Sequence, residues 1–296
     1  MLSVPKFLES CRRTFAPMVA ALALVACATV PTEERLLTLQ PGGSVAATSQ
    51  PCGEARKSAP ALARAGSGSD ALDPRALRIA SWNLHKGEDE GWQVDLARFA
   101  AESDVLLLQE AVLTAPMRDV LERAKYTWHM VGAFAQGGEE RGVLIATRVP
   151  ALDSCSLRAF EPLFPLPKTA IVARYPLIGH AKTVAIANLH GINFTLGIGR
   201  FTEQIEAVAA ELARHDGPVI FAGDFNTWSQ ARHEVMGAVA ARLGLTPVQF
   251  EPDGRRRTFG LHLDHLFIRG FSTVRALAPD VKSSDHNPVL VTLVAH

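Results

Sequence analysis

The chain reads as an α/β domain in which two β-sheets pack face to face and helices cover the outside. Strand-like runs outnumber helical segments. Those runs are continuously apolar rather than alternating, the pattern of strands buried on both faces. The 296 residues are 48% hydrophobic, enough for a sizeable core. Two sheets buried against each other still expose their outer faces, which helices must cover. No internal repeat of solenoid type is present.

The elements follow in order. A compact strand over 77–82 ends at Asn83, and 94–102 has helical spacing. The run 104–108 then delivers Gln109 and Glu110. Strands near 128–132, 142–147, 169–174 and 183–189 follow on short connections, the last ending at His190. A helix over about 200–214 leads through His215-Asp216-Gly217-Pro218 into a strand over 219–222 that presents Asp224 and Asn226. A second helix near 230–243 precedes strands around 263–268, 273–276 and 289–294.

The N-terminus reads as an address. Arg12 and Arg13 precede an apolar run from Phe15 to Ala26, too short for the ~20 residues of a spanning helix and shaped like a secretory h-region. Leu24-Val25-Ala26-Cys27 matches a bacterial lipobox, which makes 1–27 a lipoprotein signal peptide and Cys27 the acylated first residue, anchoring the protein in a membrane. Residues 28–76 contain a Pro-, Gly-, Ser- and Ala-rich stretch and read as a flexible tether. The folded domain is expected over 77–296. Cys11 and Cys27 fall in the leader, leaving Cys52 and Cys155 either paired in an oxidising compartment or free.

Thirty basic and thirty acidic residues balance over the whole chain, and from Arg75 onward 23 basic face 24 acidic ones. A processive nucleic-acid binder carries a basic stripe, so no stable nucleic-acid partner is expected, and no protein partner either. The cluster Arg255-Arg256-Arg257 reads as a solvated loop or a local phosphate contact.

Short acidic, amide and histidine segments sit at strand ends: SWN (81–83), QE (109–110), NLH (188–190), GDFN (223–226), LDH (263–265) and SDH (284–286). Oxygen ligands gathered from several strand ends, with two histidines beside them, suit one hard divalent cation facing a phosphate. Gly223 allows a sharp exit, and Asp224 and Asn226 alternate to one side.

This ordered set, from about Arg78 to the C-terminus, resembles the endonuclease/exonuclease/phosphatase superfamily with its DNase I-like fold. SWNLHKG, LPKTAIVARYPL, HGINFTLG, GDFNTW and RRRTFG resemble its small YafD-like bacterial branch. The resemblance implies a four-layer α/β sandwich, dependence on Mg²⁺ or Mn²⁺, and hydrolysis of a phosphate ester. Glu110 and Asp285 are expected to hold the cation, with the Asn83 amide oxygen near it. Asp224 is expected to orient and deprotonate the attacking water, with Asn226 holding that water or a phosphate oxygen. His190 and His286 are expected as imidazolium groups flanking the phosphate, and Asp264 is the carboxylate the resemblance pairs with His286. The carboxylate orienting His190 is left open, as is the role of His262; His265 is read as core or surface. Asn193 and Phe194 are placed on the leaving-group side, Lys168 is within possible reach of a phosphate, and Trp228 forms a pocket wall or packing. The leading function is hydrolysis of a lipid head group or nucleotide at the cell envelope. The alternatives are a nuclease outside the cytoplasm and a catalytically inactive binding lipoprotein on the same fold.

Overall fold

The computed structural model describes residues 28–40, 43–53, 70–195 and 197–296. The strands are β1 (Ala28–Thr29), β2 (Arg35–Leu39), β3 (Val45–Thr48), β4 (Leu77–Asn83), β5 (Val105–Val112), β6 (Thr127–Gln136), β7 (Glu139–Thr147), β8 (Asp153–Phe160), β9 (Pro167–Tyr175), β10 (Val184–His190) and β11 (Val219–Asp224). They continue as β12 (Thr246–Pro247), β13 (Arg257–Thr258), β14 (Leu261–His262), β15 (Asp264–Arg269), β16 (Phe271–Leu277) and β17 (Val289–Ala295). The helices are α1 (Trp92–Glu102), α2 (Ala115–Arg123), α3 (Gly199–Ala213) and α4 (Gln230–Leu243).

One nine-stranded sheet has the order β16-β17-β4-β5-β7-β6-β2-β3, with β1 beside β6; a six-stranded sheet runs β12-β15-β11-β10-β9-β8. Each contains one parallel pair, β4 with β5 and β10 with β11. Parallel neighbours need a crossover, supplied by α1 and α3. Because β10 and β11 end together, His190 and Asp224 are register partners, and antiparallel β15 brings Asp264 opposite Asp224.

Between the sheets Ile79, Leu107, Ile145, Ile171, Ile186, Ile220 and Leu266 interlock. Outside the first sheet, Leu96, Phe99, Met117 and Leu121 of α1 and α2 pack on Trp82 and Leu106. Outside the second, Phe201, Ile205, Val208 and Val239 of α3 and α4 pack on Val172 and Phe221. The result is the expected four-layer α/β sandwich, and burial of both sheet faces explains the unbroken apolar runs.

The N-terminal boundary needs correction. The described part of 28–53 is not a tether: β2 pairs with β6 and β3 with β2, with Leu36 and Leu37 buried in two different cores. Cys52 and Cys155 form a disulfide, and Cys52 N–H donates to the Ser156 carbonyl at 2.8 Å, fastening this segment to β8. Burial of Leu36 and Leu37 outweighs the loop-like composition around them. The proposed leader, 1–27, lies outside the described residues, as do 54–69.

Candidate active site

The four central strands β4, β5, β10 and β11 end at one edge of the sandwich, and a polar bridge ties them together just beneath. Gln109 Nε2 donates to Asn188 Oδ1 at 2.7 Å across the two sheets, and Asn188 Nδ2 donates to the carbonyls of Leu108 and Leu144. Both side chains are buried, so their polar atoms need these partners. Two backbone approaches shape the loops above. Gly223 has φ +144°, and a Cβ there would lie 2.0 Å from the Leu189 carbonyl oxygen. A Cβ at Gly191 would come within 2.5 Å of the Phe225 carbonyl oxygen, so the loops after β10 and β11 touch only because glycine is there.

On these ends stands a buried line of three groups. His286 Nδ1–H donates to Asp264 Oδ2 at 2.8 Å, and its Nε2 lies 4.0 Å from Asp224 Oδ2. Burial alone would lower the imidazole, but the charges of Asp264 and Asp224 and the hydrogen bond to Asp264 push it up to about 10. His286 is therefore an imidazolium. For Asp224, burial is the leading influence and Asp264 adds to it; the His286 charge opposes both, and the carboxyl settles at about 6. Asp224 is further held by Asn83 Nδ2 at 3.0 Å and by the Asn226 backbone N–H at 2.9 Å. Asn226 takes φ +52° and donates from Nδ2 to the Gly191 carbonyl at 2.9 Å. The Asx-type turn in GDFN is thus present together with the convergence of Asp224 and Asn226. Asn83 Oδ1 accepts the His85 N–H at 3.1 Å, so Asn83 both closes its own turn and orients Asp224.

Glu110 faces this line from β5. A register shift between Leu108 and Ala111 and a φ of +48° turn its side chain out of the strand toward the site. Its Oε1 is 3.6 Å from His190 Nε2 and its Oε2 is 3.5 Å from Lys86 Nζ, while Oε2 is buried with no hydrogen bond. Burial would raise this carboxyl, but His190, Lys168 and Lys86 outweigh it and hold it at about 2. An ionised, buried carboxylate oxygen lacking a hydrogen-bond partner fits a hard cation, whose preferred donors are such oxygens. Asp285 is exposed, with Oδ1 3.9 Å from His85 Nδ1, and His85 itself bonds Asp89 at 2.7 Å. Among the described residues, neither Glu110 nor Asp285 joins a group of three His, Cys, Asp or Glu ligand atoms within 4.8 Å of one another; Asp224, Asp264 and His286 do.

His190 departs from expectation. Its Nε2 lies 2.8 Å from Lys168 Nζ, and burial together with that ammonium pushes the imidazole well below its ordinary value. His190 is neutral, accepting from Lys168, and Lys168 carries the positive charge on this side of the site. His265 accepts or donates at Thr227 Oγ1 and packs against Phe225 and Phe267, a core role; His262 lies 3.3 Å from Asp253. Arg255 is clamped by the Asp253 carboxylate, so of the arginine cluster only Arg256 and Arg257 are exposed.

Two residues escaped sequence reasoning. Lys86 left no signal beyond its place in SWNLHKG. Arg232 is buried in α4 and donates to the carbonyls of Ile192, Asn226 and Asn193, beneath the Trp228 ring 4.4 Å away. A charged residue in a helix reads as solvent-facing, and nothing local marks this one. Trp228 Nε1–H donates to Asn193 Oδ1 at 3.0 Å, so Trp228 braces the loop that carries Phe194. A cavity of about 410 Å³ opens onto Glu110, His190, Lys86, Lys168, Phe164 and Phe194, within the size range of small-ligand sites.

The profile of the Endonuclease/Exonuclease/phosphatase family matches residues 80–286. The chain is 38% identical over 228 residues to a UPF0294 protein of Vibrio parahaemolyticus, covering 76% of this chain and 81% of that one. It is 35% identical to a UPF0294 protein of Vibrio cholerae over 95% of this chain and 97% of the relative. Among solved structures, the human Nocturnin catalytic domain with bound sulfate anion superposes with a TM-score of 0.57 at 18% identity, over 76% of this chain and 96% of that domain. A likeness at that identity shows the shared fold.

Proposed function

Because this chain belongs to the endonuclease/exonuclease/phosphatase family, whose members are phosphoesterases, we propose that it hydrolyses a phosphate ester at the cell envelope with the help of a divalent cation, Mg²⁺ or Mn²⁺. The observation that carries this reading is the buried Asp264–His286–Asp224 line beside the buried Glu110 Oε2, which has no hydrogen bond and lies 3.5 Å from the Lys86 ammonium. Glu110 would hold the cation, with Asn83 and Asp285 as its further oxygen donors. When bound, the cation supplies Lewis-acid stabilisation of charge on the phosphoryl oxygens.

The chain's own residues account for the rest. Asp224, raised to about 6 and fixed by Asn83 and by the Asn226 backbone, orients a water and takes its proton. His286 donates from Nε2 to a phosphoryl oxygen or the leaving oxygen, while Asp264 fixes the ring through Nδ1. Lys168 places a second positive charge opposite, steadied by neutral His190. Asn226 holds the water or a phosphate oxygen. The near-neutral domain favours small or lipid phosphate esters over long nucleic acids. The lipobox at 24–27 supports an anchor on Cys27, and Ala28 after it supports outer-membrane sorting; the Cys52–Cys155 disulfide supports export.

The deciding experiment assays detergent-solubilised full chain on phosphate monoesters, lipid phosphodiesters and DNA, with Mg²⁺, Mn²⁺ or EDTA. Hydrolysis of at least one ester, abolished by EDTA and restored by the metal, is expected. Absence of metal-dependent turnover on every class would overturn the reading.

A further inference from the structure

We propose that the rim of the catalytic cavity is a membrane-docking surface and that the ester cleaved is the head-group linkage of a lipid still seated in a bilayer; this rests on the phosphoesterase reading above. Exposed aromatic side chains single out that end of the molecule. Every exposed phenylalanine among the described residues lies there: Phe160 at 50%, Phe164 at 40%, Phe194 at 51% and Phe259 at 86% relative exposure, joined by Leu163 at 55%. Their positions follow from topology. Phe160 ends β8 opposite Pro167, the residue before Lys168. Phe194 follows β10 and packs edge-on to Phe164 with ring centres 5.1 Å apart. Phe259 tips the β13–β14 hairpin that leads into Asp264. Trp228 links the two halves, its ring 6.4 Å from Phe259 and its Nε1–H on Asn193. Exposed apolar groups gathered in one place mark an interaction surface, and aromatic residues favour the boundary of a bilayer.

Charge and chain path select the bilayer as the occupant. Exposed Arg256 and Arg257 sit three and two residues before Phe259, a pairing of cation and aromatic tip that suits an anionic lipid surface. The cavity is lined by the polar groups of Glu110, Lys168 and His190 together with Ala133, Leu166, Phe164 and Phe194, so a head group would reach the polar groups while its acyl part stays at the exposed Phe164 and Phe194. The chain also enters the domain here. Ala28 pairs with Gln136 at the end of β6 and lines the same cavity, so an anchor on Cys27 would leave from the cavity mouth. Anchor and rim together make the two membrane contacts that stable attachment needs.

The full chain is reconstituted in phosphatidylcholine–phosphatidylglycerol vesicles. In Phe259→Trp, the emission added over the parent protein should be quenched at least about twofold by vesicles with brominated acyl chains, because the side chain enters the bilayer. Unquenched added emission would overturn the docking surface, since an anchor alone leaves position 259 in water. In Leu163→Ser/Phe259→Ser, turnover of vesicle lipid should fall about tenfold or more, the scale of lost apolar burial, while turnover of a soluble short-chain phosphodiester stays within about twofold. Equal retention or equal loss on both substrates overturns the proposal. A parent protein that cleaves soluble esters or DNA but no vesicle lipid also overturns it, leaving the phosphoesterase reading intact. Failure on all esters removes that reading instead and with it the lipid-substrate claim.

Discussion

Glu110 holds a left-handed backbone, φ +48°, inside a buried strand, and Asn226 does the same at +52° just past β11. Such conformations are uncommon for residues with a side chain and cost of order 1–3 kcal/mol, so they persist where surrounding packing enforces them. Glu110 is turned toward His190 and Lys86, and Asn226 toward the Gly191 carbonyl beside Asp224. Glu110→Gln keeps the shape and removes the charge, so turnover should drop at least ~10²-fold with the circular-dichroism spectrum unchanged. Near-normal turnover at limiting Mg²⁺ would remove Glu110 from the metal site. His286 offers a titration. Its folded pKa of about 10 lies above its ordinary 6.5, so the stabilisation from its partners is fully present below about 6.5 and is lost as pH rises through about 10. Asp264→Asn should lower the imidazole midpoint in an NMR titration and shift the basic limb of the pH–rate profile downward. Asp264→Asn and His286→Ala should combine far less than multiplicatively, as residues acting as a unit do. Multiplicative losses with an unmoved basic limb would mean the two act separately.

At the scale of elements, periodicity found the strands that carry the site because each is buried on both faces and apolar throughout. Harder cases failed for physical reasons. The strand β8, DSCSLRAF, mixes polar residues into a sheet and gains its place through pairing with β9 and the disulfide. The short helix α2 is set by the Thr114 side chain accepting the Met117 N–H and by its fit against α1, neither visible as a long apolar period. Strands β1 to β3 lie in a loop-like composition and fold because β6 offers an edge. The loops over the site depend on a helix distant in sequence. Arg232→Met would leave the carbonyls of Ile192 and Asn193 without their buried donor, a cost of about 1–3 kcal/mol per unsatisfied group, while the Asn226 carbonyl would keep the Trp228 N–H. Its thermal midpoint should fall by several degrees and its turnover should fall too. Unchanged melting would show that water replaces the guanidinium. Replacing Cys52 and Cys155 by Ala should cost about 2–4 kcal/mol in denaturant unfolding, detaching the segment that carries β2 and β3.

At the scale of the whole molecule, SWN, NLH and GDFN could be read from the chain because each meets the end of a strand, whereas QE lies within β5, LDH opens β15 and SDH lies in the loop before β17; the convergence of Lys168 on His190 could not be read at all. Strand β9 is antiparallel to β10, so the start of one meets the end of the other, and only the sheet order reveals which residues those are. The same order brings the N-terminal segment to the active end, where Ala28 pairs with Gln136 and lines the cavity that holds Glu110 and Lys168. If Cys27 is acylated, the full chain expressed in a bacterial host should take up labelled palmitate and fractionate with the outer membrane, Ala28 rather than Asp following the cysteine. Cys27→Ser should lose the label and the outer-membrane fraction while retaining turnover of a soluble ester, since the proposed catalytic groups stand on β4, β5, β9, β10, β11 and β15, the turn after β11 and the segment 281–286 rather than on the leader. An unlabelled parent protein recovered from the cytoplasm would separate the active site from the membrane altogether.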